Sequence, residues 1–325
     1  MSNFLRSIFP SQQKLPTLNI TMLGPSGVGK TSLLAAMYDQ FENVSKDLQL
    51  IPDQDSKSIL DMRLNELKSF VGDSIKVRGG ISQTGEPRSF QLEFGEIGTS
   101  PSLKLNFQDY PGEYIEQTDK IEEVKKFIRD SAAVLIPIDT PALMERDGKY
   151  HDKFNQPSEL NNLFKDLYKN LDSRRLVILA PVKCEKYMQN TPELFRKVKA
   201  GYQPLLNKFA SDKLLPKVAV IITPVQTVGS VIFSRIEEEN NELTFYYRKP
   251  NPTDPYKPKN SEQPLKYLLR FLLKSHFDNQ RKSVFSKIML DFFGSNASLL
   301  NAVRKFSDPS SDMVEIVQST DLFKL

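Results

Sequence analysis

Four apolar runs along the chain predict buried strands of one sheet. They span residues 17–23, 132–139, 175–181 and 217–223. Runs of this kind are typical of strands that helices cover on both faces. Segments with helical spacing lie between them, at about residues 30–41, 121–130 and 157–171. Strands that alternate with helices predict an α/β fold with a mostly parallel, doubly wound sheet.

Two neighbouring segments instead alternate apolar and polar residues, which is the pattern of half-exposed strands. Residues 89–94 and 102–107 alternate in this way, and residues 95–101 form the turn between them. Two such strands joined by a short loop predict a hairpin. We expect this hairpin to contribute one antiparallel strand to the sheet.

Further segments predict insertions and extensions around this sheet. Apolar residues at helical spacing predict an inserted helix at residues 58–70 and a late amphipathic helix at 265–274. An acidic turn between two apolar segments predicts a β-hairpin insertion at residues 228–249, and five prolines indicate an extended surface segment at 250–264. The predicted organisation is an N-terminal extension at residues 1–16, one domain with insertions at 17–278, and a C-terminal helical tail at 279–325.

Composition and charge exclude several classes of protein. One cysteine, Cys184, excludes an internal disulfide, and no apolar run is long enough to span a membrane. We therefore expect a cytoplasmic protein without a membrane span. The net charge of +4 is spread along the chain without a dense basic block, so we expect no nucleic-acid partner.

The strongest chemical signal is a glycine-rich loop between the first strand and the first helix. Residues 24–31 read Gly-Pro-Ser-Gly-Val-Gly-Lys-Thr, the spacing of a phosphate-binding loop, or P-loop. The glycines let successive N–H groups point into one concavity, and the helix N-terminus adds partial positive charge. Such a loop predicts a P-loop NTPase. The predicted nucleotide contacts are Gly24, Ser26, Gly27, Val28, Gly29, Lys30, Thr31 and Ser32.

An acidic residue at the end of an alternating strand predicts a magnesium site beside the P-loop. Asp109 follows the strand at residues 102–107, where a carboxylate can hold the water shell of Mg²⁺. Gly112 follows three residues later and can present its N–H to a γ-phosphate. Ligands of open α/β sheets bind at the carboxyl ends of the strands. We therefore expect the P-loop, Asp109, Lys183 and Thr223 to converge on one site.

These motifs resemble those of P-loop GTPases of the TRAFAC class. The P-loop and the later Asp109-Tyr110-Pro111-Gly112 are similar to the first and third GTPase motifs, and Asp-x-Pro-Gly resembles the translation-factor version. The long spacer, the loop at residues 223–227 and the late amphipathic helix resemble, more narrowly, the bacterial double-GTPase families. Those families occur in multi-gene systems suspected of defence or signalling. The resemblance covers about residues 17–278.

The resemblance implies a role for each matching residue at the phosphate end. Lys30 matches the phosphate-binding lysine, Thr31 the hydroxyl that ligates Mg²⁺, and Asp109 the aspartate of the magnesium water shell. Gly112 matches the glycine that senses the γ-phosphate. Glu113 stands where many relatives place a side chain that orients the attacking water.

The resemblance also implies a switch threonine, which caps Mg²⁺ in the triphosphate state. Thr84 is our choice, because it lies in a loop just before a strand, and Thr99 is a rival. Arg78 and Arg88 flank this candidate switch, and either could act as an arginine finger, although a solvated arginine is the more common outcome.

The motif that selects the base departs from the family pattern. Where Asn-Lys-x-Asp or Thr-Lys-x-Asp is expected, the chain reads Val182-Lys183-Cys184-Glu185. Lys183 can lay its stem over a purine ring, and Glu185 can accept hydrogen bonds from guanine N1 and N2. Val182 offers no side-chain hydrogen bond, and Glu reaches one methylene farther than Asp. Guanine is therefore favoured over adenine without being secured, and Thr223 would touch the base through its backbone.

The implied function is that of a GTP-binding protein that uses Mg²⁺ and GTP or GDP. The Glu113 carboxylate would repel a γ-phosphate, so we expect slow hydrolysis that a partner accelerates. The protein would act as a nucleotide-controlled switch with other proteins of the same system, such as a partner GTPase or an activator, in a homo- or hetero-oligomer. Two alternatives stay open: a nucleotide-dependent interaction module that barely hydrolyses, and an ATPase on the same scaffold.

Overall fold

The described part of the chain builds one large sheet, one small sheet and helices that cover both faces of the large one. The computed structural model describes residues 15–69, 75–78, 86–115, 117, 119–239, 242–278, 290–294, 296–308 and 313–325. Thr84 and most of the expected N-terminal extension lie outside these residues. No helix within them is long and apolar enough to cross a bilayer.

Among the described residues, the first third of the chain contains five strands and two helices. In chain order these are β1 (Thr17–Met22), α1 (Lys30–Val44), β2 (Leu48–Pro52), α2 (Gln54–Lys68), β3 (Ile75–Arg78), β4 (Arg88–Glu96) and β5 (Leu103–Asp109). The α2 helix is the inserted helix expected at residues 58–70. It begins four residues earlier because the Asp53 carboxylate caps it, accepting from Ser56 N at 2.8 Å.

The middle of the chain alternates helices and buried strands. Its elements are α3 (Ile121–Asp130), β6 (Ala133–Asp139), α4 (Thr140–Met144), α5 (His151–Asn155), α6 (Pro157–Leu167), β7 (Arg175–Val182), α7 (Thr191–Gly201), α8 (Gln203–Phe209) and β8 (Val218–Ile222). The last third contains β9 (Ile232–Glu239), β10 (Glu242–Arg248), α9 (Gln263–Phe277), α10 (Ala297–Phe306) and β11 (Glu315–Gln318). Short 3-10 turns add residues 112–115 and 185–190.

The large sheet has the strand order β11-β8-β7-β6-β1-β5-β4-β2. The five strands from β8 to β5 run parallel, as the apolar runs predict. The predicted hairpin is confirmed: β4 pairs antiparallel with β5. A second antiparallel strand, β11, extends the sheet beside β8. It comes from the C-terminal segment, for which the sequence predicted one further helix and a polar tail at residues 307–325, but no strand.

Two apolar cores lie on opposite faces of the large sheet. Alternate residues of β7 show the division, since Leu176 and Ile178 face the core under α1, α9 and α10, whereas Val177 and Leu179 face the core under α3, α6, α7 and α8. Strand side chains point alternately to the two faces, so a strand covered on both sides reads as a continuous apolar run. This arrangement confirms the doubly wound α/β fold.

The C-terminal segment packs into the first of these cores. Phe293, Val303 and Phe323 are buried there together with α9. The Arg270 guanidinium on α9 donates to the carbonyl of Phe323 at 2.7 Å. The segment therefore shares its core with the P-loop helix α1.

The small sheet, in the order β3-β10-β9, contains the predicted hairpin insertion. The sequence did not predict its third strand, β3, which leads toward the candidate switch segment. A third apolar cluster joins this sheet to α4, to α5 and to the 3-10 turn at residues 185–190, through Ala142, Phe154, Tyr187, Phe233 and Phe245. The small sheet thus covers the side of the large sheet where β6 and β7 end.

Candidate functional site

The P-loop makes turns that glycine adopts readily. Gly24, Gly27 and Gly29 have φ values of 149°, 74° and 114°, in the left-handed half of backbone space. Gly29 precedes the first residue of α1, and no side chain caps that helix. The first N–H groups of α1 therefore stay available for an anion at the helix N-terminus.

A buried cluster of Lys30, Thr31 and Asp109 lies at the base of the P-loop. Lys30 Nζ donates to the carbonyls of Gly24 at 2.9 Å and Pro25 at 3.2 Å. It also lies 3.7 Å from Asp109 Oδ1. Thr31 Oγ1 donates to Asp109 Oδ2 at 2.8 Å. Burial lowers the pKa of Lys30, and the charge of Asp109 opposes that shift, so the carboxylate helps the ammonium to stay protonated.

Strand register places Asp109 in this cluster. Its Cα pairs with Met22 of β1, the residue two before the P-loop, and on the other side with Arg88 of β4. Two residues away from them on each strand are Phe90 and Phe107, which pair with each other and pack in the core under α1. Because cross-strand partners share a face, Arg88 begins its strand on the same face as Asp109.

The oxygen atoms of this cluster suit a magnesium ion. Asp109 Oδ1 is buried and accepts no hydrogen bond within the described residues. Thr31 gives its proton to Asp109, which leaves lone pairs of the hydroxyl oxygen for a cation. The described residues contain no cluster of three carboxylate, histidine or cysteine ligands. A hydroxyl, one carboxylate, waters and substrate phosphates are the environment in which proteins commonly hold Mg²⁺.

Gly112 packs directly against the P-loop. A Cβ at this position would lie 2.4 Å from Ser26 N and 2.5 Å from Pro25 Cα, closer than a side chain tolerates. Gly112 opens a 3-10 turn that also contains Glu113. The side chain of Glu113 lies outside the described part of the chain, so its role stays a prediction.

Lys183 joins the base end of the site to the P-loop. Its Nζ donates to Gly27 O at 3.2 Å and to Asp139 Oδ2 at 2.6 Å. Lys183 itself has φ 55°, and Asp139 ends β6 with only 3% of its surface exposed. Asn155 holds the backbone of Asp139, since Asp139 N donates to its Oδ1 at 2.7 Å.

Sequence reasoning missed Asp139 as a member of the site. Like Asp109, it is an acidic residue at the end of an apolar strand. That signal was present in the sequence, and the convergence of strand ends could have identified it.

Glu185 lies in a loop that the hairpin insertion approaches. Its Oε1 accepts from Gly229 N at 3.2 Å and from Val228 N at 3.4 Å. Burial raises the pKa of Glu185, while these N–H groups and Lys183 oppose the shift. Gly229 is tightly packed, since a Cβ there would lie 1.7 Å from the carbonyl oxygen of Lys257. The hydrogen bonds leave Oε2 as the carboxylate oxygen for a ligand.

Thr223 directly follows β8, in a segment whose Val225 N–H donates to Pro181 O at 2.7 Å. Its N–H donates to Leu179 O at 2.9 Å, whereas its fully buried hydroxyl has no hydrogen-bond partner in the described part of the chain. The carbonyl of Val182 accepts from Thr140 Oγ1 at 2.7 Å, so the neighbouring backbone is held as well. Thr223 therefore carries a buried polar atom without a hydrogen-bond partner in the described part of the chain.

Most of the predicted site residues that the structure describes lie at one edge of the large sheet. One candidate, Thr99, does not. Thr99 lies in the β4–β5 turn, where its hydroxyl donates to Glu96 O at 2.9 Å. Arg88 at the other end of β4 pairs with Asp109, so Thr99 sits at the opposite edge of the sheet, about 20 Å away. Thr99 as a rival switch threonine is wrong. Its competitor, Thr84, lies outside the described residues.

The Double-GTPase 2 family model matches residues 19–214. This range contains the P-loop, Asp109, Lys183 and Glu185. The chain belongs to the Double-GTPase 2 family. Membership of this family confirms the resemblance inferred from the motifs and supports a GTP-binding protein. The matched range ends before Thr223 and before the small-sheet strands β9 and β10.

Two solved structures are similar to the chain at low sequence identity. They are the GTPase-like domain of S. cerevisiae Ski7 bound to GDP and inorganic phosphate, with a TM-score of 0.42, and the same domain bound to GTP, with a TM-score of 0.41. Each is 16% identical and covers 65% of this chain, while this chain covers 43% of either structure's chain. No curated protein sequence matches this chain.

Proposed function

We propose that this Double-GTPase 2 protein binds GTP and GDP with Mg²⁺, hydrolyses GTP slowly and acts as a nucleotide-controlled switch. The observation that carries the proposal is the buried cluster of Lys30, Thr31 and Asp109 beneath the P-loop. A lysine, a hydroxyl and a carboxylate at the N-terminus of one helix are what a triphosphate and its metal ion require.

Phosphoryl transfer needs little covalent chemistry from the protein, so positioning and charge neutralisation carry the rate. Lys30 now donates to P-loop carbonyls and would exchange those bonds for β- and γ-phosphate oxygens. The Gly112 N–H, next to Ser26, would donate to the γ-phosphate. Thr31, and Asp109 through water, would hold Mg²⁺, which supplies positive charge to the phosphate oxygens when bound.

Slow turnover follows from the residue that stands at the water-orienting position. The sequence has Glu113 at the position where many relatives place a water-orienting side chain, and a carboxylate there would repel the γ-phosphate. Arg88 is the first residue of β4 and pairs with Asp109 of β5. This position supports Arg88, rather than Arg78 of β3, as the candidate arginine finger. Single-turnover hydrolysis by Glu113→Gln, Arg78→Ala and Arg88→Ala tests these roles. We expect faster hydrolysis for Glu113→Gln and slower hydrolysis for Arg88→Ala. If all three variants hydrolyse GTP at the rate of the wild type, these role assignments are refuted.

The base end supports guanine as the preferred base. Lys183 Nζ donates to Gly27 O of the P-loop, which fixes the lysine beside that loop. Because Glu185 Oε1 accepts from backbone N–H groups, Oε2 would accept from the N1–H and N2–H groups of guanine. Thr223 would touch the base through its backbone. We propose the role of Thr84 as the switch threonine on the sequence motif alone.

We place this switch among other proteins of a bacterial multi-protein system for defence or signalling, in the cytoplasm, as a homo- or hetero-oligomer. The family membership and the single cysteine support this setting. The first competing function is an interaction module that binds nucleotide and barely hydrolyses it. Undetectable turnover together with GTP-dependent binding to a partner would favour that module.

Competition of GTP, GDP, ATP and ADP against a labelled guanine nucleotide in Mg²⁺ tests the proposal. We expect the guanine nucleotides to win and Lys30→Ala to bind at least about a hundredfold more weakly, because it loses charge-assisted hydrogen bonds. Lys324→Ala, which removes an exposed lysine paired with Asp321, is the matched control. Stronger competition by ATP would make the protein an ATPase on this scaffold, and binding that is independent of Lys30 would overturn the site.

A further inference from the structure

A buried chain of hydrogen bonds connects helix α5 to the base end of the site. Asn155 is the last residue of α5 and has only 1% of its surface exposed. Both ends of its amide contact the backbone of Asp139, the last residue of β6. Asp139 N donates to Asn155 Oδ1 at 2.7 Å, and Asn155 Nδ2 donates to Asp139 O at 3.1 Å. One side chain therefore fixes both peptide groups that flank the Asp139 Cα.

The amide of Asn155 is in turn fixed by a histidine. Its Nδ2 lies 3.0 Å from Nδ1 of His151, one turn earlier on α5. Because Asp139 N–H requires the amide oxygen as its acceptor, Nδ2 is the donor to His151, and the ring Nδ1 accepts. The proton of the neutral ring then lies on Nε2, which donates to Gly201 O at 3.3 Å. Burial lowers the pKa of His151, which favours this neutral form.

Helix α7 leaves the space that this histidine fills. A Cβ at Gly201, the last residue of α7, would lie 2.7 Å from His151 Nε2. The His151 ring also meets the ring of Tyr202 at an angle of 75°, with centroids 5.3 Å apart. The chain that begins at Asp139 is therefore anchored on α7.

With its backbone fixed, Asp139 presents its carboxylate to two partners. Oδ1 accepts from Ala142 N at 3.0 Å, which caps α4, and Oδ2 accepts from Lys183 Nζ at 2.6 Å. Strand register brings these residues together, since Asp139 pairs with Val182, the residue before Lys183. A short hydrogen bond between two charged groups is among the stronger polar contacts in proteins.

Lys183 is thereby fixed at both ends of its side chain. Its backbone has φ 55°, which is uncommon for residues other than glycine. Its Nζ is bound by Asp139 and by Gly27 O of the P-loop at 3.2 Å. A lysine stem is long and flexible, so ordering it when a ligand binds costs free energy. Anchoring the ammonium before the nucleotide arrives removes much of that cost.

We propose that Asn155 is a positioning residue for the nucleotide base: it holds Asp139, and Asp139 holds the Lys183 stem in place against the purine ring. The inference rests on the proposed function, because it requires that Lys183 covers the base. It adds α5, which no motif indicated, to the base-binding part of the protein. Asn155 acts through Asp139 and Lys183, so its effect on nucleotide affinity should depend on the presence of Lys183.

A double-mutant cycle on the full chain tests the inference, with GDP affinity measured by calorimetry in Mg²⁺. We expect Asn155→Ala to weaken GDP binding about fivefold, because the lysine stem must then be ordered on binding. In a Lys183→Ala background, the same substitution should change GDP affinity by less than about twofold. Equal losses in the two backgrounds, or no loss in either, would overturn the inference.

A second variant keeps the inference testable if Asn155→Ala does not fold. Asp139→Asn retains a side chain that can cap α4 but removes the charge that pairs with Lys183. It should weaken GDP binding about tenfold, and much less in the Lys183→Ala background. Unchanged GDP affinity of Asp139→Asn would also overturn the inference.

Asp53→Asn is the matched control for this second variant. Asp53 caps α2 in the same way, by accepting from Ser56 N at 2.8 Å, and it follows β2 at the edge of the large sheet. Its carboxylate is therefore a helix cap outside the candidate site. The GDP affinity of Asp53→Asn should equal that of the wild type.

Failure of the proposed function would be distinguishable from failure of this inference. A wild type that binds no purine nucleotide would overturn the proposed function and this inference with it. A wild type that prefers ADP to GDP would overturn only the guanine assignment. The same cycle measured with ADP would then decide the role of Asn155, because a lysine stem can cover either purine.

Discussion

The two ends of the candidate site are built in different ways. At the phosphate end, the contacts come from a continuous loop and one strand end, and the sequence motif predicted nearly every residue: Lys30, Thr31, Asp109 and Gly112. At the base end, four separate segments meet, and Lys183 and Glu185 have partners that no motif indicated. Phosphate chemistry is the same for every nucleotide, so its site can be a local motif. Base recognition depends on which side chains the fold brings together.

The largest expected effect comes from adding a side chain at Gly112, which packs directly against the P-loop. In Gly112→Ala the added Cβ would meet backbone atoms of Pro25 and Ser26, which cannot rotate away. The turn must retreat, and its N–H leaves the γ-phosphate. We expect single-turnover GTP hydrolysis to fall by about a hundredfold or more, which is typical for the loss of one donor to developing charge.

Gly98→Ala is the control for that variant. Gly98 has φ 80° in the exposed β4–β5 turn, and nothing lies within 4 Å of a Cβ there. The substitution should strain the turn and lower the free energy of unfolding by about 1 kcal/mol without changing hydrolysis. If Gly112→Ala hydrolyses GTP like the wild type, the contact with the P-loop has no role in turnover.

A smaller effect is expected at Glu185 of the base end. Glu185→Gln removes the charge of the acceptor and should weaken GDP binding about tenfold, while ADP binding changes little. Burial raises the pKa of Glu185 above its ordinary 4.5, so acidification protonates the wild-type carboxylate earlier than usual. GDP affinity of the wild type should therefore fall as the pH is lowered, and the fall should begin at a higher pH than an ordinary glutamate would give.

The pH series on Glu185→Gln provides the comparison, since the amide does not titrate. Its GDP affinity should stay flat where the wild type declines. Equal declines in the two proteins, measured by calorimetry at several pH values, would show that another group controls the binding and that Glu185 does not read the base.

The smallest effect is expected at Thr223. Thr223→Val keeps the shape and removes a buried hydroxyl that lacks a partner. Without nucleotide, we expect the free energy of unfolding to rise by about 1 kcal/mol, because the lost hydroxyl has no partner in the described part of the chain. We expect GDP affinity to stay within about twofold of the wild type, because the proposed contact with the base is made by the Thr223 backbone. Thermal unfolding with and without GDP measures both. Destabilisation without nucleotide would mean that the hydroxyl already has a partner in the protein.

Much of the fold could be predicted because the large sheet is doubly covered. Strands such as β6 and β7 are apolar along their whole length, and the P-loop marks the first strand and helix. The strands that the sequence did not reveal are short and lie at the edges of their sheets. β2, β3 and β11 have four or five residues each, so periodicity is weak, and long-range pairing decides their conformation.

The sequence by itself determined the phosphate chemistry, because a P-loop works through its own backbone and the first turn of the helix that follows. It also determined the two-sided core, since apolar periodicity is a local property. Tertiary structure alone decided the base end: the pairing of Lys183 with Asp139, and the approach of Val228 and Gly229 to Glu185. These contacts join residues far apart in the chain, and their geometry depends on strand register and packing, which no local pattern specifies.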